Sequence, residues 1–239
     1  MQKQQNLSSS VRTQLLRTLL FLSIPTIIEE ILATLLQYVD TAMVGQLGEQ
    51  ATASVSITTN VTWLVNSVPG AIGTAILVLS SKAAGAGAYH QVQKLSQQAL
   101  FLSIVSGLAL GTVSLVLSPY IPVWMGAEPA IQAEASRYFF IISLPMIFRS
   151  ASTILGAALR AVQNTKTPML ISVAANGLNI VLNYLFIYTL HLGVAGAAIA
   201  SAISYTLSGV LMFAACRRNR LLSWPWKSFS VEIGLLREC

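Results

Sequence analysis

The sequence predicts an all-α fold, a polytopic membrane bundle of six transmembrane helices. Hydrophobic residues make up 54% of the chain and charged residues only 9%, and the mean hydropathy is +0.68. A soluble domain needs a more charged surface than this composition can supply. Apolar stretches of at least about 20 residues, the length that crosses a bilayer, recur along the chain. The predicted spans are residues 18–44, 51–82, 97–117, 135–159, 168–190 and 194–216.

The basic residues predict how the bundle lies in the membrane. Most of the 14 Lys and Arg residues precede the first span, follow the last, or fall in every second connection. Short cytoplasmic segments carry such an excess of basic residues. We therefore expect a cytoplasmic segment at 1–17, the six-span lobe at 18–216, and a second cytoplasmic segment at 217–239. No basic patch is interleaved with aromatic residues, so we expect no nucleic-acid partner.

The first span carries three carboxylates: Glu29, Glu30 and Asp40. An ionised side chain near the bilayer centre costs about 2.5 to 3.5 kcal/mol on insertion scales, so it normally faces a cavity, a partner or a transported ion. Glu29 and Asp40 are 11 positions apart and fall within about 20° of one helix face, with about 16 Å between them along the axis. That face is a candidate cavity wall. Alternatively, Glu29 and Glu30 pair with basic residues in a purely structural role.

Pro25 precedes these acids in the same span. Proline removes one backbone hydrogen bond from a helix, so Pro25 is either a hinge that moves the acids or a fixed bend.

Polar residues in the later spans recur at helical spacing and so mark one face of each helix. Each such stripe is either a hydrogen-bonded seam between helices or the wall of a wet cavity. Together with an acid-bearing helix, three stripes favour the cavity. Gln37 of the first span is a further candidate cavity residue. The stripes are Thr59, Trp63 and Asn66 in span two, Ser172, Asn176, Asn179 and Asn183 in span five, and Ser201, Ser204 and Ser208 in span six.

The sequence contains no motif that indicates an enzyme. Its two cysteines, Cys216 and Cys239, and its two histidines, His90 and His191, are too few and too scattered for a zinc site or a disulfide framework. There is no nucleophile elbow and no His-Glu metal motif. We therefore predict a carrier that uses no cofactor and no bound metal.

Four motifs in order resemble the amino-terminal lobe of the multidrug and toxic compound extrusion (MATE) family, nearest its DNA-damage-inducible, DinF-like branch. They are VDTAMVGQLG at the end of span one, ALRAVQNTKTPM between spans four and five, NGLNIVLNYLFIY in span five and GVAGAAIASAISY in span six. The resemblance implies an exporter with two six-helix lobes around a central cavity. It would exchange cationic or amphipathic compounds for protons, or alternatively for Na⁺.

On this resemblance the chain is one lobe, and its partners are small organic substrates, the lipid bilayer and a carboxy-terminal lobe, fused or separate. An even number of spans lets a second copy follow in the same orientation, as in a parallel repeat. A homodimer of six-span chains is the alternative. The implied location is the bacterial cytoplasmic membrane.

The resemblance also implies roles for individual residues. Asp40 stands at the coupling acid of the VDT motif, and Asn179 and Asn183 match polar positions that join it. Some members carry an acid where this chain has Asn183. Ser201 replaces a frequent threonine and keeps its hydroxyl, and Pro25 matches a helix-one proline proposed to bend on protonation. Glu29 and Glu30 lie outside the family pattern.

Two other functions fit a membrane bundle. A flippase for lipid-linked precursors would line its cavity with several basic residues, whereas Arg149 is the only basic residue that falls well inside a predicted span. A scaffold subunit without transport would need none of the polar stripes. Export coupled to a cation, with Asp40 binding either the ion or the substrate, is the hypothesis that uses most of the observed residues.

Overall fold

The structure is a computed structural model that describes residues 2–223. The regular structure of this part of the chain is helical, with no strand, which confirms the predicted all-α class. Residues 224–239, which hold Cys239 and most of the predicted carboxy-terminal segment, lie outside the described residues. The helices are α1 (Gln2–Gly45), α2 (Glu49–Gly85), α3 (Tyr89–Leu117), α4 (Ile121–Trp124), α5 (Pro129–Ser143), α6 (Met146–Ala161), α7 (Lys166–Asn183), a π-helical segment (Tyr184–Thr189) and α8 (Gly193–Arg218).

Four helices are long and apolar enough to cross a membrane: α2, α3, α8, and α7 together with its π-helical continuation. The bent pair α5 and α6 gives a fifth span if its two halves cross together. The predicted first span, residues 18–44, lies within α1, which is not among these helices. A sixth span therefore stays a prediction.

The predicted fourth span, residues 135–159, is not one straight helix. It is divided between α5 and α6, whose axes differ by 51° across a short break at Leu144 and Pro145. Proline has no amide hydrogen to donate, and its ring collides with the carbonyl four residues earlier, so a helix bends or stops there. Hydropathy alone cannot detect this break because the apolar composition continues through it.

Helix α6 lies at the centre of the bundle and packs against α2, α3 and α8. Its buried side chains join those helices in the largest apolar cluster of the described residues. This cluster holds the centre of the bundle together by removing apolar surface from polar surroundings. Among its members are Ile76, Leu95, Ile154, Leu155, Leu159 and Met212.

Two glycines, one on α3 and one on α8, clamp the first turn of α6 through close backbone contacts. A Cβ at Gly107 of α3 would lie 2.5 Å from the Cα of Ile147, and a Cβ at Gly209 of α8 would lie 2.7 Å from the Cα of Phe148. Only glycine allows backbones to approach so closely. The position of the turn that follows the break is therefore set by α3 and α8.

Helix α1 is attached mainly to α7, through polar contacts at both ends of the shared surface. The Ser172 hydroxyl lies 2.7 Å from Glu29 Oε1. The hydroxyl of Tyr188, in the π-helical segment, lies 3.0 Å from the carbonyl oxygen of Met43. Glu29 also accepts a hydrogen bond of 3.2 Å from Arg160 of α6, in an ion pair whose side chains are 12% and 26% exposed, respectively.

We expect Gly209→Ala to destabilise the protein by about 2 kcal/mol or more, because its new methyl group would collide with backbone that has no room to move. The melting temperature in detergent measures this effect. Gly177→Ala on α7 is the matched control, since a Cβ there would meet nothing within 4 Å. Equal melting temperatures for the two variants would show that the clamp does not determine the position of α6.

We expect the Glu29–Arg160 pair to have a coupling free energy of about 1 kcal/mol, above that of most fully exposed pairs because both side chains are partly buried. A double-mutant cycle with Glu29→Gln, Arg160→Gln and the double variant, followed by thermal unfolding, measures it. Additive effects of the two changes would mean that the pair does not hold α1 against α6.

Candidate functional site

A polar cavity of about 710 Å³ lies between α1, α2, α5, α6, α7 and α8. All three predicted polar stripes contribute to its wall, which favours the cavity over the seam as the role of these stripes. Asn183 is the exception, since it is fully buried beside the cavity. The lining residues include Glu30, Gln37, Asp40, Thr59, Thr62, Trp63, Asn66, Tyr138, Arg149, Ser152, Thr153, Ser172, Asn176, Asn179, Ser201, Ser204, Tyr205 and Ser208.

Asp40 begins a chain of hydrogen bonds that crosses three helices. The amide nitrogen of Asn183 donates to a carboxylate oxygen of Asp40. The same nitrogen lies 3.1 Å from Asn179 Oδ1, and Asn179 Nδ2 donates to Ser201 Oγ at 3.2 Å. The structure thus brings together the four residues that the resemblance grouped. Their carboxylate, amide and hydroxyl oxygens are suited to a proton or a hard monovalent cation rather than to a soft metal.

The local geometry of α7 explains why the two asparagines act together. Asn179 and Asn183 are four residues apart and so lie on one helix face. The π-helical segment begins at Tyr184, directly after Asn183. Such wide turns occur frequently at functional sites, where they change the direction in which side chains project. Here the turn also places Tyr188 against Met43 and Gln46 of α1.

The cavity face of α1 runs through Glu30, Ala33, Gln37, Asp40 and Thr41. On a helical projection this face spans about 100°. Glu29 is at its edge.

Glu29 therefore does not line the cavity and instead contacts Ser172 and Arg160. For Glu29 this is the structural pairing that the sequence left open. Glu30, by contrast, lines the cavity.

Pro25, the predicted hinge, is buried inside α1, and the helix continues on both sides of it from Gln2 to Gly45. Its role as a moving hinge stays a prediction.

Among the lining residues that were not predicted as site residues are Tyr138, Arg149 and Tyr205. The sequence could have identified Arg149, because a charged residue in the middle of a span normally faces a cavity or a partner. Tyr205 lies four positions after Ser201 and so extends the stripe of α8. Tyr138 of α5 belongs to none of the three predicted stripes and so gave no periodic signal.

The charged groups of the lining are two carboxylates, Glu30 and Asp40, and one guanidinium, Arg149. The Arg149 guanidinium carbon lies 4.4 Å from the centroid of the Tyr205 ring, in a cation–π contact. No group of three or more His, Cys, Asp or Glu side chains forms a metal site among residues 2–223.

Comparisons with known proteins agree with this architecture. The protein-family model MatE matches residues 25–185. A probable multidrug resistance protein NorM of Thermotoga maritima is 29% identical over 208 residues, which are 85% of this chain and 45% of that protein. Multidrug and toxin extrusion protein 1 of Oryctolagus cuniculus is 26% identical and matches 91% of this chain and 38% of its own length.

Among solved structures, a crystal structure of MATE in the straight conformation superposes with a TM-score of 0.86 at 25% identity, over 92% of this chain and 49% of that one. The chain thus spans about half the length of these proteins or less. Because the family model covers most of the chain, and the helices match in space, the chain belongs to the MATE family of membrane transporters.

Proposed function

We propose that this chain forms the amino-terminal lobe of an exporter that exchanges cationic or amphipathic organic compounds for protons, with Na⁺ as the alternative coupling ion. The observation that carries the proposal is the placement of Asp40. Its carboxylate faces a polar cavity inside an apolar bundle and is bound by Asn183. An acid in such a place normally binds something that is transported.

The coupling mechanism rests on competition for one negative charge. A proton on Asp40 removes the charge that attracts a cationic substrate, so each ligand weakens the binding of the other. The proton also replaces a charge-assisted hydrogen bond from Asn183 with a weaker neutral one. Because this bond joins α1 to α7, its strength affects how α1 is held. A ligand can drive the conformational change only through such a difference between states.

The rest of the lining fits organic substrates of varied shape. Trp63, Tyr138 and Tyr205 offer aromatic faces, which attract both apolar groups and cations. Hydroxyl and amide groups between them can accept or donate hydrogen bonds in several orientations. The printed names of the two relatives, a multidrug resistance protein and a multidrug and toxin extrusion protein, support this substrate class.

The proposal includes a second lobe, in the same chain or as a separate subunit. Large apolar side chains such as Phe21, Ile31, Tyr38 and Leu64 are exposed along α1 and α2, where lipid or a second lobe would cover them. The location we propose is the bacterial cytoplasmic membrane with both ends cytoplasmic, as the basic residues predict. A flippase for anionic lipid-linked precursors is less well supported, because the lining holds one basic side chain against two acids.

We expect Asp40→Asn to abolish substrate efflux driven by an imposed pH gradient, because the variant can no longer exchange a proton at this site. The measurement is the flux of the fluorescent cation dansylcadaverine from proteoliposomes that contain the transporter carrying this lobe. Glu49→Gln is the control, since it removes the same charge from an exposed position at the start of α2 outside the cavity. Undiminished pH-driven efflux by the Asp40 variant would refute the role of Asp40. A flux that follows a Na⁺ gradient instead would identify Na⁺ as the coupling ion.

We also expect acid to weaken binding of dansylcadaverine, by up to about tenfold for each pH unit, because one proton competes with one cation. Asp40→Asn should bind the probe more weakly and lose most of this pH dependence. The other charged or titratable groups of the lining are Glu30, Tyr138, Arg149 and Tyr205. Glu30→Gln therefore serves as the comparison, and a pH dependence that disappears only in that variant would assign the competition to Glu30.

A further inference from the structure

We propose that Arg149 forms an anion-binding subsite in this cavity, so that the substrates carry an anionic group, such as a carboxylate, in addition to a cationic one. This inference rests on the proposed export function and adds a substrate class to it. Arg149 is the positively charged member of the cavity lining.

Arg149 is a charged residue within a membrane-spanning segment. The residue lies in the first turn of α6, near the middle of the broken span formed by α5 and α6. A guanidinium at this depth is costly unless a partner or water solvates it. Within the described part of the chain, Arg149 forms no ion pair, and its guanidinium donates no hydrogen bond to a protein group. Its guanidinium carbon lies 4.4 Å from the centroid of the Tyr205 ring, in a cation–π contact.

That contact leaves the hydrogen-bond donors of the guanidinium available. The N–H groups lie in the plane of the guanidinium, in a fork that matches a carboxylate or a phosphate, and none of them donates a hydrogen bond to a protein group among residues 2–223. Tyr205 therefore orients Arg149 but accepts no hydrogen bond from its guanidinium N–H groups. Water can fill these positions in an empty cavity, and an anionic group of a substrate can replace that water.

A second unsatisfied donor lies beside Tyr205 in the sequence. Ser204 is only 4% exposed and lines the cavity, and its hydroxyl has no hydrogen-bond partner among the described residues. A buried hydroxyl without a partner loses the free energy of its hydrogen bonds to water. An anionic group bound in the cavity would provide an acceptor for it.

The subsite is held in place by the backbone. Ile147 and Phe148 immediately precede Arg149, and Gly107 and Gly209 clamp them between α3 and α8. The backbone from which Arg149 projects is thus fixed by packing, and its guanidinium contacts the Tyr205 ring rather than a counter-charge. Such preorganisation reduces the entropic cost of binding.

The cavity therefore has two poles of opposite charge. Asp40 and Glu30 on α1 form the negative pole, and Arg149 on α6 forms the positive one. Both poles line the cavity, yet within residues 2–223 no ion pair joins Arg149 to either acid. A substrate with separated positive and negative groups would contact both poles at once.

Two fluorescent probes that differ only by a carboxylate test the inference. Nε-dansyl-lysine carries an ammonium and a carboxylate group, and dansylcadaverine is the same molecule without the carboxylate. Their dissociation constants are measured by dansyl fluorescence with the protein in lipid nanodiscs, with the signal of empty nanodiscs subtracted. We expect the wild-type protein to bind dansyl-lysine more tightly than dansylcadaverine.

Arg149→Gln should weaken binding of dansyl-lysine about tenfold, the usual effect of losing a charge-assisted hydrogen bond. It should affect dansylcadaverine binding much less, so that the ratio of the two dissociation constants changes, because dansylcadaverine has no carboxylate for Arg149 to bind. Arg149→Lys should keep part of the preference for dansyl-lysine over dansylcadaverine. It keeps the positive charge but loses the paired N–H donors of the guanidinium. Arg137→Gln, at an exposed position outside the cavity, is the matched control.

The possible results separate this inference from the proposed function. If dansylcadaverine binds in an Asp40-dependent way but the carboxylate adds no affinity in the wild-type protein, the subsite is refuted and the export proposal stands. Equal losses for both probes in Arg149→Gln would assign Arg149 a structural role and also refute the subsite. Binding of neither probe would overturn both proposals. The comparison of the two probes on the wild-type protein stays decisive even if Arg149→Gln does not fold.

Discussion

Polar side chains inside apolar helices must find either a partner or water, and this requirement organises the whole lobe. The bundle meets it by directing the polar faces of α1, α2, α7 and α8 towards one cavity. The largest apolar cluster lies around α6 and joins it to α2, α3 and α8. Hydrophobic packing thus determines where the helices lie, and the solvation of polar groups determines how each one is rotated.

The break at Leu144 and Pro145 is the second structural constraint. A straight helix through residues 135–159 would continue along the axis of α5, whereas the 51° bend turns α6 into the centre of the bundle. Gly107 and Gly209 then allow α3 and α8 to contact its first turn directly. Broken helices recur in transporters where a binding site needs side chains at the middle of the membrane. Here the break positions Arg149, Ser152 and Thr153 opposite α1.

The sequence predicted the fold class and about half of the residues that line the cavity, because helical periodicity determines which residues share a face. It did not predict the break in the fourth span, since hydropathy averages over a single proline. It also left the role of Glu29 open. Glu29 is about 20° from Asp40 on the helix surface, but whether that edge meets the cavity or α7 depends on how α1 packs. Contacts with Ser172 and Arg160 hold Glu29 outside the cavity. No local sequence pattern predicts a contact between helices that are distant in the chain.

If the proposed export function holds, the charges of the two poles affect the energetics of transport. Exchange of one proton for one monovalent cation moves no net charge across the membrane. Exchange of one proton for a zwitterion moves one positive charge inward, so the membrane potential would add about 2.3 kcal/mol for every 100 mV to the driving force of the pH gradient. If Asp40 binds the proton and Arg149 the anionic group, the same cavity could export both kinds of substrate with different dependence on the membrane potential. The charge of the substrate, rather than its shape alone, would then determine which component of the proton gradient drives its export.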